Sequence, residues 1–449
     1  MEALGNRPTG PLGMPPHQQD HHEERRMIEP GMAATAEASD TARERATPPA
    51  AAPDAATAAR ALPPLPKGRL VLLALAGVSL ILGLDGALVR LGGLAPIPSA
   101  PLGDVHGPLM VYGFLGTAIC LERAVALQSG DRPVRWAYAA PLASGFGALS
   151  AIALALVPGF AASLPFGARV VPGALWTLAT ALLNAIYLEV HRHRQASHAV
   201  LVQLVGAVIG LGGALLWLRG LETPRIVAWF LLFLVVTIVG ERLELARLAF
   251  LSGATEPRIL AESLAVLVAL AASLLSPAAG FPLLGGALGA LVADTAIHDV
   301  ARRTIRLPGL PRLAAMCMLA AYAWATVPVI AWIAAPPAFS GFLYDAEVHA
   351  LALGFVVSML LAHAPVIVPA VAKRPVPYHP TMHLGLVLLQ GSLVVRLLAG
   401  ARAADVPWRF GGALGVVAML VFAGTTLALA ILASCSPIDE GGAGNREGR

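Results

Sequence analysis

Charge is scarce in this sequence. Only 13% of its 449 residues are Asp, Glu, Lys or Arg, against 57% hydrophobic residues and a mean hydropathy of +0.72. An ordinary soluble domain carries about twice that charged fraction, so the composition excludes one and requires a polytopic membrane protein. Aromatic residues are also few, at 6%, and no run alternates lipid-facing with lumen-facing side chains, which excludes a membrane β-barrel. Helices are what remains, because they satisfy their own backbone in lipid. Cysteine is nearly absent: Cys120, Cys317 and Cys435 fall inside or at the end of apolar stretches, with no CxxC or CxxCH. A disulfide framework and covalently attached c-type haem are therefore excluded. No Gly-rich phosphate loop, nucleophile elbow or zinc-protease motif occurs either.

What the sequence does contain is a series of apolar windows of about twenty residues, the length that crosses a bilayer. They lie near 70–94, 106–127, 136–158, 170–190, 198–218, 225–246, 259–276, 279–299, 313–335, 346–371, 381–400 and 410–433. The expected fold is an all-α polytopic membrane protein, a bundle of about 12 transmembrane helices over residues 67–436. The eighth span is Gly-rich and ends in Asp294, His298 and Asp299. Residues 1–66 mix Ala, Thr, Pro and Glu without apolar period and predict a disordered cytoplasmic tail, and residues 437–449 predict a short polar one. The start lacks the basic, apolar and cleavage regions of a signal peptide. His17, His21 and His22 in that tail are read either as a loose metal site or as a polar tract.

Basic residues collect in alternate loops: Arg132 and Arg135, Arg192 and Arg194, Arg247 and Arg258, then Arg302, Arg303, Arg306 and Arg312, and finally Lys373 and Arg374. The opposite loops are poorer, interrupted by Arg169, Arg219 and Arg402. The net charge of +4 is thus a topology signal and no mark of nucleic-acid binding. The pattern predicts a bacterial inner membrane with both termini cytoplasmic and the lipid bilayer as the principal partner.

His106 and His349 open the second and tenth spans, entering from the same outer side. Two imidazoles at one depth on two helices are a donor set for haem iron. Below His106, the residues Met110, Gly113, Thr117, Cys120 and Ala124 share one narrow face at about 100° per residue. That stripe of small residues gives clearance for a macrocycle or for a neighbouring helix. His363 lies fourteen residues beyond His349, returning to nearly the same face about 21 Å deeper, with Pro365 and Pro369 below it. The two cannot share one metal ion. Asp104, Asp345 and Glu347 are placed to orient the imidazoles, and Arg90 is the cation nominated to meet haem propionates, with a snorkelling Arg as its plainer reading. Glu122, Glu241, Glu244, Asp294, His298 and His363 are candidates for an inner proton or ion path, or a non-haem metal. A solvated helix end, with Glu244 paired to Arg247, is the plainer account of the VGERLELAR segment. His379 and His383, four apart in PYHPTMH, are read as a chelating pair on one helix face or as a Pro380-led helix start.

The segment from His106, with Met110, Gly113 and Phe114 in a His-x-x-x-Met-x-x-Gly-Phe spacing, resembles the NnrS family of bacterial membrane proteins, and so does HALALGFVVSMLLAHAPVI in the tenth span. The resemblance implies twelve helices, haem and copper association, and a link to nitric oxide metabolism. More distantly, histidines on spans two and ten resemble the catalytic subunit of haem-copper oxidases, where those helices bind the low-spin haem. Spans six and seven lack histidine, and 349 is no His-x-His, which argues against oxygen reduction. VGERLELARL replaces the Gly-Gly-Arg, Pro and aromatic pattern of NnrS proteins, and a tryptophan before the first histidine is missing.

The sequence therefore predicts a b-type haem protein, ligated by His106 and His349 with Met110, Gly113 and Arg90 nearby. It would transfer electrons or handle a small diatomic such as nitric oxide, with quinol or a redox protein as partner. The alternative is a proton-coupled secondary transporter with an intramembrane His/Glu relay.

Overall fold

The computed structural model describes residues 64–435 apart from 93–94, 130–131, 158, 160–166 and 247–253. The segment Met1–Ala58 separates as its own unit and lies outside the described residues, as do the tail histidines and Arg247. Within the unit Ala59–Arg449, twelve described helices are long and apolar enough to cross a membrane. They are α1 (Lys67–Arg90), α2 (Ala100–Ala126), α3 (Arg135–Leu156), α4 (Val170–His193), α5 (His198–Leu218) and α6 (Thr223–Leu245). The second half comprises α7 (Thr255–Leu275), α8 (Pro277–His298), α9 (Leu310–Ala334), α10 (Gly341–Ala372), α11 (Met382–Ala401) and α12 (Asp405–Cys435). The fold is an all-α polytopic membrane protein with the expected span count.

Helix starts follow local chemistry. Ser99 caps α2 by accepting from the Leu102 N–H, with Pro101 following in the first turn, and Ser197 caps α5 through the Val200 N–H. Consequently α2 begins six residues before His106, and α10 begins eight before His349. The two histidines do not open their helices, as the hydropathy windows implied; they sit about 9 and 12 Å inside them. Asp104 ahead of His106, and Asp345 and Glu347 ahead of His349, lower the hydropathy of the opening turns, so the windows began late. His379 likewise precedes its helix, which starts at Met382, so His379 and His383 share no helix face. His379 instead contacts the Thr381 hydroxyl, and the Nδ1–H of His383 donates to the Pro380 carbonyl.

The core is organised around α6, which is 89% buried over its apolar window, against 22% for the peripheral α12. A helix apolar on every face belongs in such a position. Gly206 and Gly210 of α5 bring that helix onto Thr237 and Phe233 of α6, and Gly240 of α6 lies against the backbone of Gln203 and Ala199. Small residues substitute here for a hydrophobic driving force that lipid does not supply.

Both histidine-bearing helices contain an eight-residue π-helical stretch directly beyond the histidine, Leu109–Gly116 in α2 and Ala350–Val357 in α10. Pro108 sits at the first junction and has no N–H to donate to the preceding turn. Both stretches pack against α6. They also break the helical phase on which the sequence projection relied.

Candidate functional site

His106 and His349 lie near enough for their charges to interact, and the His106 imidazole also feels Arg90 and Arg396. The His106 Nδ1 is 2.6 Å from the Gly83 carbonyl of α1. A carbonyl only accepts, so Nδ1 carries the proton and Nε2 keeps its lone pair. His349 Nδ1 is 2.9 Å from the Asp345 carbonyl and 3.1 Å from its carboxylate, with the same result for its Nε2. Among the described residues neither Nε2 has a protein partner. Imidazoles that bind metals are characteristically held this way, by a carbonyl or carboxylate on the other nitrogen.

The bond to the carbonyl four residues back is not itself diagnostic, since His298 and His363 make it too. What separates His349 from His363 is the second nitrogen. His363 Nε2 lies 3.3 Å from Nη1 of Arg242 and accepts from it, so its lone pair is occupied. His363, proposed from sequence as a metal ligand, is here part of a buried polar lock. Arg242 binds both Asp299 oxygens, at 3.1 and 2.8 Å, and the Tyr322 hydroxyl donates to Asp299 as well. The Ala301 N–H adds a further bond at 2.8 Å.

Asp345 orients His349, as its position suggested. It also accepts from Nε and Nη2 of Arg396 at 2.8 and 2.7 Å and from the Trp408 indole at 2.8 Å. Arg396 lies over the Trp408 ring, 5.1 Å from its centroid. Sequence reasoning missed Arg396, although a lone arginine inside the apolar run of α11 was the available signal. Arg90 is exposed at the end of α1, its stem beside Gly103 of α2. Asp104 is exposed, while Glu347 is buried and accepts from the Trp332 indole at 3.1 Å.

Met110 and Gly113 serve helix packing. A methyl on Gly83 would stand 2.6 Å from the Met110 sulfur, and one on Gly113 would stand 3.0 Å from Ala148 and 3.1 Å from the Ser79 hydroxyl oxygen. The stripe below His106 therefore meets α1 and α3. The projected single face is not kept, because the π-helical stretch rotates everything after Leu109; Thr117 bonds to Ser144 of α3, and Cys120 and Ala124 are buried.

The ionisable residues proposed for an inner path fall into separate groups. Arg123 of α2 contacts Glu122 at 2.8 Å, Glu244 at 3.3 Å and Glu241 at 3.4 Å, and Gln203 of α5 donates to Glu244 at 2.9 Å. Asp294 and His298 belong elsewhere, with Arg258 bound to both Asp294 oxygens at 2.6 Å. Among the described residues no hydrogen bond joins these two groups to each other or to the Arg242 lock, and no cluster of three His, Cys, Asp or Glu side chains is arranged to hold a metal ion.

The chain matches the family described as "Domain of unknown function (DUF8744)" over residues 69–431, which is nearly the whole helical bundle. It belongs to that family. No curated protein matches it. Every site residue named above lies inside the matched segment.

Proposed function

We propose that this DUF8744 protein is a membrane-embedded b-type haem protein in which His106 and His349 are the axial ligands. The single observation that carries the reading is the pair of imidazoles, near each other on two helices, each fixed through Nδ1 to an acceptor and each with an Nε2 that has no partner among the described residues. The donor set fits the group: two imidazoles, each turned with Nδ1 to an acceptor, with Arg90 and Arg396 as the nearby cations. A bound haem supplies one-electron chemistry. The chain's own residues set its conditions: Gly83 and Asp345 hold the rings, and Arg396 with Trp408 holds Asp345.

Were both imidazoles to hold a haem iron, electron transfer would be favoured over direct binding of a diatomic, with quinol or a redox protein as the expected donor. The NnrS likeness supports a role in nitric oxide metabolism, with copper as a second metal; the occupied Nε2 of His363 removes one ligand from any copper site near it. The loop arginines support a bacterial inner membrane location with cytoplasmic termini, which puts the histidine pair toward the outer face.

The test is a reduced-minus-oxidised absorption spectrum of the detergent-purified protein beside His106→Ala and His349→Ala. The expected result is a sharp b-type α-band in the parent that both substitutions abolish. Protein that purifies intact without haem under haem-replete expression overturns the reading.

A further inference from the structure

Arg123 neutralises one of the three carboxylates that surround it. Glu122, Glu241 and Glu244 bring three negative charges to a single guanidinium at the inner-loop end of α2 and α6. Like charges this close resist joint ionisation where water is scarce. One further observation points to a missing hydrogen-bond donor. Gln203 is fully buried and spends its amide N–H on Glu244, which leaves its Oε1 buried without a partner among the described residues. Tyr187 of α4 is also fully buried, its hydroxyl has no partner among the described residues, and it interacts electrostatically with Arg123, Glu241 and Glu122. Apart from Arg123, the Gln203 amide and the Tyr187 hydroxyl, the group consists of acceptors. A proton on one carboxyl turns an acceptor into a donor and relieves charge and hydrogen-bond deficit together.

We propose that this cluster is a proton-binding site with Glu241 as the residue that takes up and releases the proton. Exposure orders the acids: the Glu244 side chain is 32% exposed, Glu122 22% and Glu241 14%, with Tyr187 and Gln203 fully enclosed beyond them. Glu244 is the aqueous rim. Glu241, one helical turn deeper, is both the least exposed acid and the one with the longest contact to Arg123. The groups facing it are Glu122 and Arg123 from α2, Tyr187 from α4, Gln203 from α5 and Glu244 from its own helix. The Arg123 guanidinium stands among the three carboxylates and repels a metal cation there, which favours a proton. The proposal is independent of haem, because it uses none of the groups around His106 and His349.

The experiment is infrared spectroscopy of the full-length protein across neutral pH, in H2O and D2O, in parent, Glu241→Gln and Glu347→Gln. Glu347 is the control, a buried carboxyl that accepts from the Trp332 indole and has no ion pair among the described residues. The expected result is a protonated-carboxyl C=O band that shifts in D2O, titrates with pH, disappears in Glu241→Gln and survives in Glu347→Gln. Absence of the band, or its loss in Glu347→Gln alone, overturns the proposal. A second measurement needs no variant: the parent is treated with dicyclohexylcarbodiimide, which modifies protonated carboxyls in apolar surroundings, and its peptides are mapped by mass spectrometry. Modification at Glu241 that falls as pH rises supports the site. Labelling confined to other acids, or thermal stabilisation by Na⁺, K⁺ or Mg²⁺ with no carboxyl band, counts against it.

Discussion

At the scale of single residues, Asp345 does the most work near the histidine pair. Four donors converge on it: Arg396 twice, the Trp408 indole and the His349 ring. Removing one partner of a buried ion pair costs more than removing both, because the survivor keeps a charge without compensation. Asp345→Asn is therefore expected to destabilise by about 3 kcal/mol, leaving Arg396, only 8% exposed, unpaired. The double variant Asp345→Asn/Arg396→Gln should cost less than the sum of the two single changes by at least about 1 kcal/mol. Thermal unfolding of the detergent-purified variants measures this, and strict additivity would mean that the pair carries no coupling. The acid of this pair was legible in the sequence from its place four residues before His349. Its arginine was not, since the partner lies 51 positions away and only folding brings it near.

At the scale of helices, spacing between elements depends on where side chains are missing. On Gly240 of α6 a methyl would stand 2.9 Å from the Gln203 backbone nitrogen and 3.1 Å from the Ala199 carbonyl oxygen. Backbone cannot swing away as a side-chain tip can, so Gly240→Ala must part α5 from α6. The expected loss is about 2 kcal/mol, typical of overpacking. Gly286 of α8 has nothing within 4 Å of the same methyl. There Ala is expected to stabilise slightly, by about 0.5 kcal/mol, because it restricts the unfolded chain. Comparing the two midpoints separates a packing effect from a general helix-propensity effect. The twelve helices were legible because lipid demands long apolar runs. The π-helical stretches were not, since a projection at 3.6 residues per turn assumes the regularity they break, and for that reason the stripe under His106 was assigned to one face.

At the scale of the molecule, the Arg242 lock ties α6 to α9, to α10 and to the connection after α8 through Asp299, Tyr322 and His363. Contacts 57 and 121 residues apart in sequence close it, which is why the sequence offered His363 alone as a candidate and Asp299 only as the end of a span. Asp299 lies just beyond the end of α8, and its titration sets a pH dependence. Burial alone would push its carboxyl up, but the hydrogen bonds and charge of Arg242, the Tyr322 hydroxyl and the Ala301 N–H outweigh burial and hold it below the usual carboxylate range. A carboxyl depressed in the folded state binds fewer protons there than in the unfolded state. Its contribution to stability is thus complete above the unfolded value of about 4 and is lost as pH falls through the folded value below it. Asp299→Asn removes that contribution at every pH and leaves Arg242 buried without its counter-ion, at a cost of about 3 kcal/mol near neutrality. Thermal midpoints of parent and variant should therefore lie well apart at pH 7 and converge as pH is lowered below about 4, where the parent's carboxylate is progressively protonated. A gap that stays constant down to the acid limit would mean that Asp299 contributes shape and not charge. The lock would then owe its strength to Tyr322 and His363, and Tyr322→Phe would become the more damaging substitution.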